Sequence, residues 1–418
     1  MRRFPLSAPS RALKLFGALA LLALVGACQQ VPPQQIQAKP SQPITVAPAL
    51  PPVPSGPAPG SFEALFPPAS SRSGTAAVLV PLTGPQAGLG VALLNAAQLA
   101  LFELGDESFT MMAFDTRGTP EGAAQAAQQA LSRQADIVIG PLLSAEVRAA
   151  AQVTRAAHVP MLAFTTDRTA AGDGVYLVSF LPGPQVLTAV NHARTLGHSR
   201  LAVLAPNTDY GRLIVEFLTA NLPDGAAGIA SATYYDPTTL DWNAIAGKVM
   251  TTKSAQPGDP GFDALLLPDD GDRLRALAAA LSFQGLDPAR VKILGTMLWQ
   301  GQRVGTDPVL TGAWYAAPPA AAQEDFERRY TRAFGGRAPR LASLGYDAMA
   351  LAVVLARKNP RDFSAPALTN PTGFLGVDGL FRLQSSGTVE RGYAVFETTA
   401  GGIDREVAPA PQTFPALY

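Results

Sequence analysis

From Thr75 onward, short unbroken apolar runs alternate with amphipathic segments, and this alternation leaves few architectures open. Ala76-Ala-Val-Leu-Val-Pro81 is apolar throughout, as a strand covered on both faces must be. A glycine-rich turn at 83–90 follows, then an amphipathic helix at Val91–Phe102. The unit repeats as a strand at Phe109–Phe114, a helix at Glu121–Ser132 and a strand at Asp136–Gly140. A helix at Ser144–Ala157 and a strand at Val159–Phe164 complete the series. Such alternation predicts an α/β fold, with parallel sheets flanked by helices.

A second series begins near residue 200. Its strands are expected at Arg200–Ala205, Gly228–Tyr235, Phe262–Leu267 and Val291–Gly295. Its helices are expected near Tyr210–Asn221, Leu240–Thr252 and Asp272–Phe283. Thr311–Pro318 then reads as a return to the first lobe, followed by helices at Ala322–Phe334 and Leu341–Lys358. Val377–Leu383 and Arg391–Glu397 flank a turn at Ser385–Gly387 and read as a hairpin. The stretch exceeds what one core usually supports, so two lobes are expected. We place the first at 73–181 with 315–360 and the second at 182–314 with 361–418.

The preceding residues carry different signals. Arg2, Arg3, Arg11 and Lys14 precede the apolar run Leu15–Val25, which ends in Gly26-Ala27-Cys28. The run is too short for a permanent membrane span and has the flanks of an export signal. Cys28 is the single cysteine, so an intramolecular disulfide is excluded and the core alone must hold the exported body. Residues 28–72 are rich in Pro, Gln, Ala and Ser. Dense proline prevents helix and sheet and favours extended polyproline II, so this linker can reach on the order of 100 Å.

Composition narrows the function. Thirty-two acidic residues balance thirty-two basic ones, so no global charge draws the chain to nucleic acid. The Arg328–Arg332 stretch, with Arg337 and Arg340, reads as the solvated face of a helix and its exit loop. His158, His192 and His198 show no metal-ligand spacing, and no Gly-x-Ser-x-Gly elbow is present. The glycines at 84, 88 and 90 fit neither a dinucleotide fingerprint nor a phosphate loop. We therefore expect a non-enzyme with neither metal nor cofactor.

Six motifs stand in a telling order: Val80-Pro-Leu-Thr-Gly-Pro85, Ile139-Gly-Pro-Leu-Leu-Ser144, Val159-Pro-Met-Leu-Ala-Phe-Thr-Thr166, Asp209-Tyr-Gly211, Leu344-Gly-Tyr-Asp-Ala-Met349 and Gly376-Val-Asp-Gly-Leu-Phe381. Together they resemble the type I periplasmic-binding-protein family, in its leucine and branched-chain amino-acid receptor branch. The resemblance covers nearly all of residues 75–400. It implies two lobes closing on a ligand about three crossovers, near Phe180–Pro184, Gly312–Ala317 and Asn359–Gly373.

The resemblance also implies site residues. Ser144 matches the hydroxyl at a helix N-terminus that receives a ligand carboxylate; it serves equally as a plain N-cap. Thr165 and Thr166 match the strand-end loop that adds hydrogen bonds, and Tyr210 the aromatic residue that covers the ligand. Two positions depart. Leu89 stands where the family often has an aromatic residue, and Thr296-Met-Leu-Trp299 replaces the acid that clamps a ligand amino group. Asp270, or its neighbour Asp269, is the nearest substitute; without one, a buried ammonium would be unpaired.

Val25-Gly26-Ala27-Cys28 resembles the lipobox of bacterial lipoproteins. This implies that residues 1–27 are removed as a signal peptide and that Cys28 carries the lipid anchor. Gln29 in place of Asp implies the outer membrane. Anchor, spacer and altered site together are similar to outer-membrane lipoproteins that activate penicillin-binding proteins. The helical-repeat domain of their best-known version has no counterpart here. Binding and activating such a peptidoglycan synthase is the expected function. The alternative is an ABC-transporter substrate-binding protein for amino acids, amides or a related small polar ligand.

Overall fold

A computed structural model describes residues 72–223, 228–251 and 260–414, all within one compact unit, Gly60–Tyr418. The expected signal peptide, Cys28 and the linker to residue 71 lie outside the described residues. The first lobe opens with β1 (Gly74–Val80), α1 (Ala87–Leu104), β2 (Phe109–Asp115), α2 (Pro120–Ser132), β3 (Ile137–Ile139), α3 (Ser144–Ala156), β4 (Met161–Ala163) and β5 (Val175–Leu177). Its strands form a parallel sheet in the order β2-β1-β3-β4-β5. Every residue of β1 is buried, which is why that strand reads as continuously apolar.

The second lobe contains α4 (Pro182–Thr195), β6 (Leu201–Pro206), α5 (Asp209–Asn221), β7 (Ile229–Tyr235), α6 (Trp242–Met250), β8 (Ala264–Leu266), α7 (Gly271–Phe283), β9 (Lys292–Leu294) and β10 (Trp314–Ala317). The chain then returns through α8 (Ala320–Phe334), α9 (Ala342–Lys358), β11 (Phe374–Gly376), β12 (Gly379–Leu383) and β13 (Val389–Arg391) before β14 (Ala394–Glu397) and β15 (Arg405–Ala408). The second sheet runs β15-β14-β10-β9-β8-β6-β7. Its two faces separate by alternate residues. Ala202, Leu204, Leu265, Ile293, Tyr315 and Phe396 pack with α6 and α7, whereas Leu201, Val203, Leu266, Leu294, Trp314 and Val395 pack with α4 and α5.

Three expectations differ from the structure. Trp314–Ala317 does not begin the return to the first lobe: β10 pairs with β9 and β14 in the second sheet. Its large Trp314 and Tyr315 side chains fill opposite faces of that sheet. The hairpin expected from Val377–Leu383 and Arg391–Glu397 also divides. Val389–Arg391 pairs with β12, while Ala394–Glu397 joins the second sheet. Lastly, Phe363, Leu368, Val377, Phe381 and Tyr393 share the core of β1, so β11–β13 belong with the first lobe. The third crossover therefore lies between β13 and β14, not at 359–373, and the second lies between β10 and α8.

Packing in the first lobe depends on small residues. Ala92, Ala96, Ala97 and Ala100 are buried on α1, and Ala342, Gly345, Ala348 and Ala352 on α9. The two helices approach so closely that a Cβ at Gly345 would lie 2.3 Å from the Leu93 carbonyl oxygen.

Side chains tie the first and third crossovers together. Arg391, after β12 and at the end of β13, donates from Nε to the Ser179 carbonyl at 3.1 Å. Two guanidiniums lie over the Phe180 ring, Arg340 at 4.5 Å and Arg391 at 4.9 Å from its centroid. Arg340 donates to Asp378 at 2.8 Å, and Arg391 stands 3.7 Å from Asp347. Both carboxylates are fully buried. The expected solvated arginine face is thus broken at Arg340, which is drawn into the hinge by that charge pair.

Candidate functional site

A cavity of about 860 Å³ lies between the lobes. Thr166 reaches it from the end of β4 and Tyr210 from the first turn of α5. Phe180 and Gln185 form its hinge side, with Met297, Leu298 and Gln300 after β9. Gln323, Glu324 and Glu327 of α8 face it from the first lobe, and Tyr315, Phe396 and Asp404 from the second. This volume suits a small organic ligand.

The structure separates the expected site residues into two groups. Thr166 and Tyr210 line the cavity. Burial pushes the Tyr210 phenol up to about 12; the Thr296 hydroxyl pulls it back, while the charges of Asp270 and Asp269 push it further. Ser144 and Thr165 are instead occupied with each other, their hydroxyls 2.9 Å apart. Thr165 also accepts from the Asp167 amide at 3.1 Å. Ser144 is not the N-cap of α3: Leu143 holds that position, and its amide donates to the buried Glu146 carboxylate at 3.0 Å. Glu146 also accepts from the Thr116 hydroxyl. A carboxylate three residues into the helix supersedes the hydroxyl because it satisfies the cap from inside the core.

The acid expected to receive an ammonium is absent from the cavity wall. Asp269 is buried and already satisfied by Tyr235, by the Arg273 guanidinium and by the Asp270 amide. Asp270 precedes α7 without capping it through its side chain, 3.8 Å from Arg273, and does not line the cavity. The loop after β9 is built around Trp299, whose buried ring donates from Nε1 to the Asp269 carbonyl at 2.8 Å. Met297 and Leu298 are thereby turned to the cavity. A Cβ at Gly295 would meet the Trp299 ring at 2.3 Å. Gly295→Ala should therefore destabilise the protein by about 1–3 kcal/mol, read by chemical denaturation.

Gln185, Gln300, Gln323, Tyr315 and Asp404 were not expected in the site. No local motif marks them, since they meet only where the crossovers bring distant segments together. Among the described residues, no group of three or more His, Cys, Asp or Glu side chains could hold a metal ion.

Residues 75–402 match the family described as periplasmic binding protein. Solved structures share the fold at low identity. A putative branched-chain amino acid ABC transporter protein from Rhodospirillum rubrum is 18% identical, with a TM-score of 0.67, covering 80% of this chain and 99% of that one. The branched-chain amino acid transporter substrate-binding protein LivJ from Streptococcus pneumoniae, in complex with isoleucine, is 18% identical, with a TM-score of 0.53 and the same coverage. A solute-binding protein from Rhodopseudomonas palustris, in complex with 3,4-dihydroxybenzoic acid, is 18% identical, with a TM-score of 0.57, covering 82% of this chain and 98% of that one. No curated protein matches the chain. Two α/β lobes, three crossovers, a cavity between them and a match over most of the sequence lead to one conclusion: the chain belongs to the periplasmic binding protein family.

Proposed function

We propose that this protein is the ligand-binding component of an ABC transporter and closes its lobes on a small polar ligand. The observation that carries this reading is the cavity of about 860 Å³, walled by both lobes and by the hinge. A ligand touching both walls stabilises the closed arrangement by its differential contacts, which is how a hinge-bending receptor works. The relatives support the receptor alternative over activation of a penicillin-binding protein, because they are transporter components. The isoleucine and dihydroxybenzoic acid bound by two of them are both small molecules with polar ends. We further infer that the lipid on Cys28 tethers the receptor on the periplasmic side of a membrane, with the proline-rich linker as spacer.

A thermal-shift screen of amino acids, amides, amines and aromatic carboxylates tests the reading. At least one compound should raise Tm by several degrees at a hundredfold excess over Kd. Tyr210→Ala should remove most of that shift, and Ser144→Ala should leave it largely intact, because the Ser144 hydroxyl is engaged with Thr165. A screen without a single hit would count against a receptor.

A further inference from the structure

A groove of about 610 Å³ lies on the first lobe and shares no lining residue with the cavity between the lobes. Leu104 at the end of α1, Leu351 and Val354 of α9, and Phe374, Leu375 and Phe381 of β11 and β12 line it. Its polar groups are already engaged: Asp325 with Arg329 at 2.8 Å, the Tyr346 hydroxyl with Glu103 at 2.7 Å, and Asp347 with the Val377 amide at 2.7 Å. What is left uncovered is apolar, since Leu375 is 81% and Val354 48% exposed. Among the described residues β11 pairs with β12 alone, so its other edge is open. Contiguous apolar surface of this kind marks a contact site.

The chain itself supplies an occupant, because it enters the body beside this groove. The Ser73 carbonyl accepts from the Arg361 amide at 2.7 Å, and the Ser73 and Ser108 hydroxyls lie 2.8 Å apart. Ser108 stands four residues past Leu104, at most about 14 Å of chain. On the facing helix, Arg357 lies 4.0 Å from Asp106 and about one turn beyond Val354. Ser61-Phe-Glu-Ala-Leu-Phe66 interrupts the prolines of the linker and ends seven residues before Ser73. Seven residues span up to about 25 Å, enough to bring Phe66 back to Leu104. Phe62 and Phe66 are the only aromatic residues in 28–72, and with Leu65 they stand at the spacing of one side of a helical turn.

We propose that Phe62, Leu65 and Phe66 dock in this groove and pin the last part of the linker to the first lobe. Tethering favours the contact: a short link holds the segment at an effective concentration of about 1 mM, so weak apolar contacts suffice. Docking covers Val354 and Leu375 and fixes the point at which the spacer leaves the body. The second lobe stays free to close. The proposal goes beyond the receptor reading and does not depend on which ligand the cavity takes.

Photo-crosslinking of the full chain at low concentration tests it. With Phe66→p-benzoylphenylalanine, the main product should join residue 66 to the peptide containing Leu375, within one chain. Leu375→Asp, at an exposed position that tolerates the charge, should lower its yield at least fivefold. Hydrogen exchange gives a second reading, because Phe62→Ser with Phe66→Ser alters no residue of the body. In that double variant the amides of β11 should exchange at least threefold faster than in the parent chain. Crosslinks to another part of the body, crosslinks to a second chain, a yield indifferent to Leu375→Asp, or unchanged exchange at β11 each overturn the proposal.

Discussion

Arg391→Met is expected to lower the unfolding free energy by about 3–5 kcal/mol, because it strips the counter-charge from a buried carboxylate. The Arg391 side chain is 1% exposed, its guanidinium 3.7 Å from Asp347, and it lies over the rings of both Phe180 and Phe381 at 4.9 Å. Burial pushes the Asp347 carboxyl up to about 7, nearby Asp378 pushes it further, and Arg391 pulls it down. Urea denaturation at pH 7 reads the loss. A change below about 1 kcal/mol would show that the carboxylates do not depend on this arginine.

The same cluster sets a pH dependence with a definite sign. Asp347 has a folded pKa above its unfolded value of about 3.9. Its contribution is fully present below that value and is lost as pH rises through about 7. Stability should therefore fall between roughly pH 4 and 7 on account of this group. Asp347→Asn should flatten that slope, as seen in Tm measured across the range. An unchanged slope would move the titration to another residue.

The second large effect is expected at Gly345. An added methyl would lie 2.3 Å from the Leu93 carbonyl oxygen and 3.1 Å from its carbon. Backbone cannot swing aside as a flexible side chain can, so α9 and α1 must separate. Gly345→Ala should cost at least the upper part of the usual overpacking range, about 3 kcal/mol. Denaturant midpoints measure it. A stability equal to that of the parent chain would mean that the helices slide past each other without penalty.

Most of the first sheet was legible because β1, β3 and β4 are buried throughout and uniformly apolar or nearly so. β5 (Val175–Leu177) escaped although it is as short and as buried as β3 and β4. The crossovers were misplaced. Trp314–Ala317 and Ala394–Glu397 look like strands of either lobe, and only their pairing with each other and with β9 assigns them to the second sheet. Motif order pointed to Thr166 and Tyr210, and both line the cavity. Ser144 was read correctly as lying at a helix start, but Glu146 does the capping and Thr165 takes the hydroxyl. Asp404 could not be read from sequence, since its relevance depends on a tyrosine 89 positions away.

The placement of β14, β15 and the β11–β13 sheet bears on how the chain is made. Both lobes complete their cores with segments that follow α9: the first needs Phe381 and Tyr393, the second Val395 and Phe396. A growing polypeptide therefore has neither lobe finished until nearly the whole body has been synthesised. Until then its apolar strands lack their partners and are prone to aggregate. Under the export that the proposed lipid anchor implies, that delay is an advantage: late closure keeps the chain threadable until its last strands have emerged.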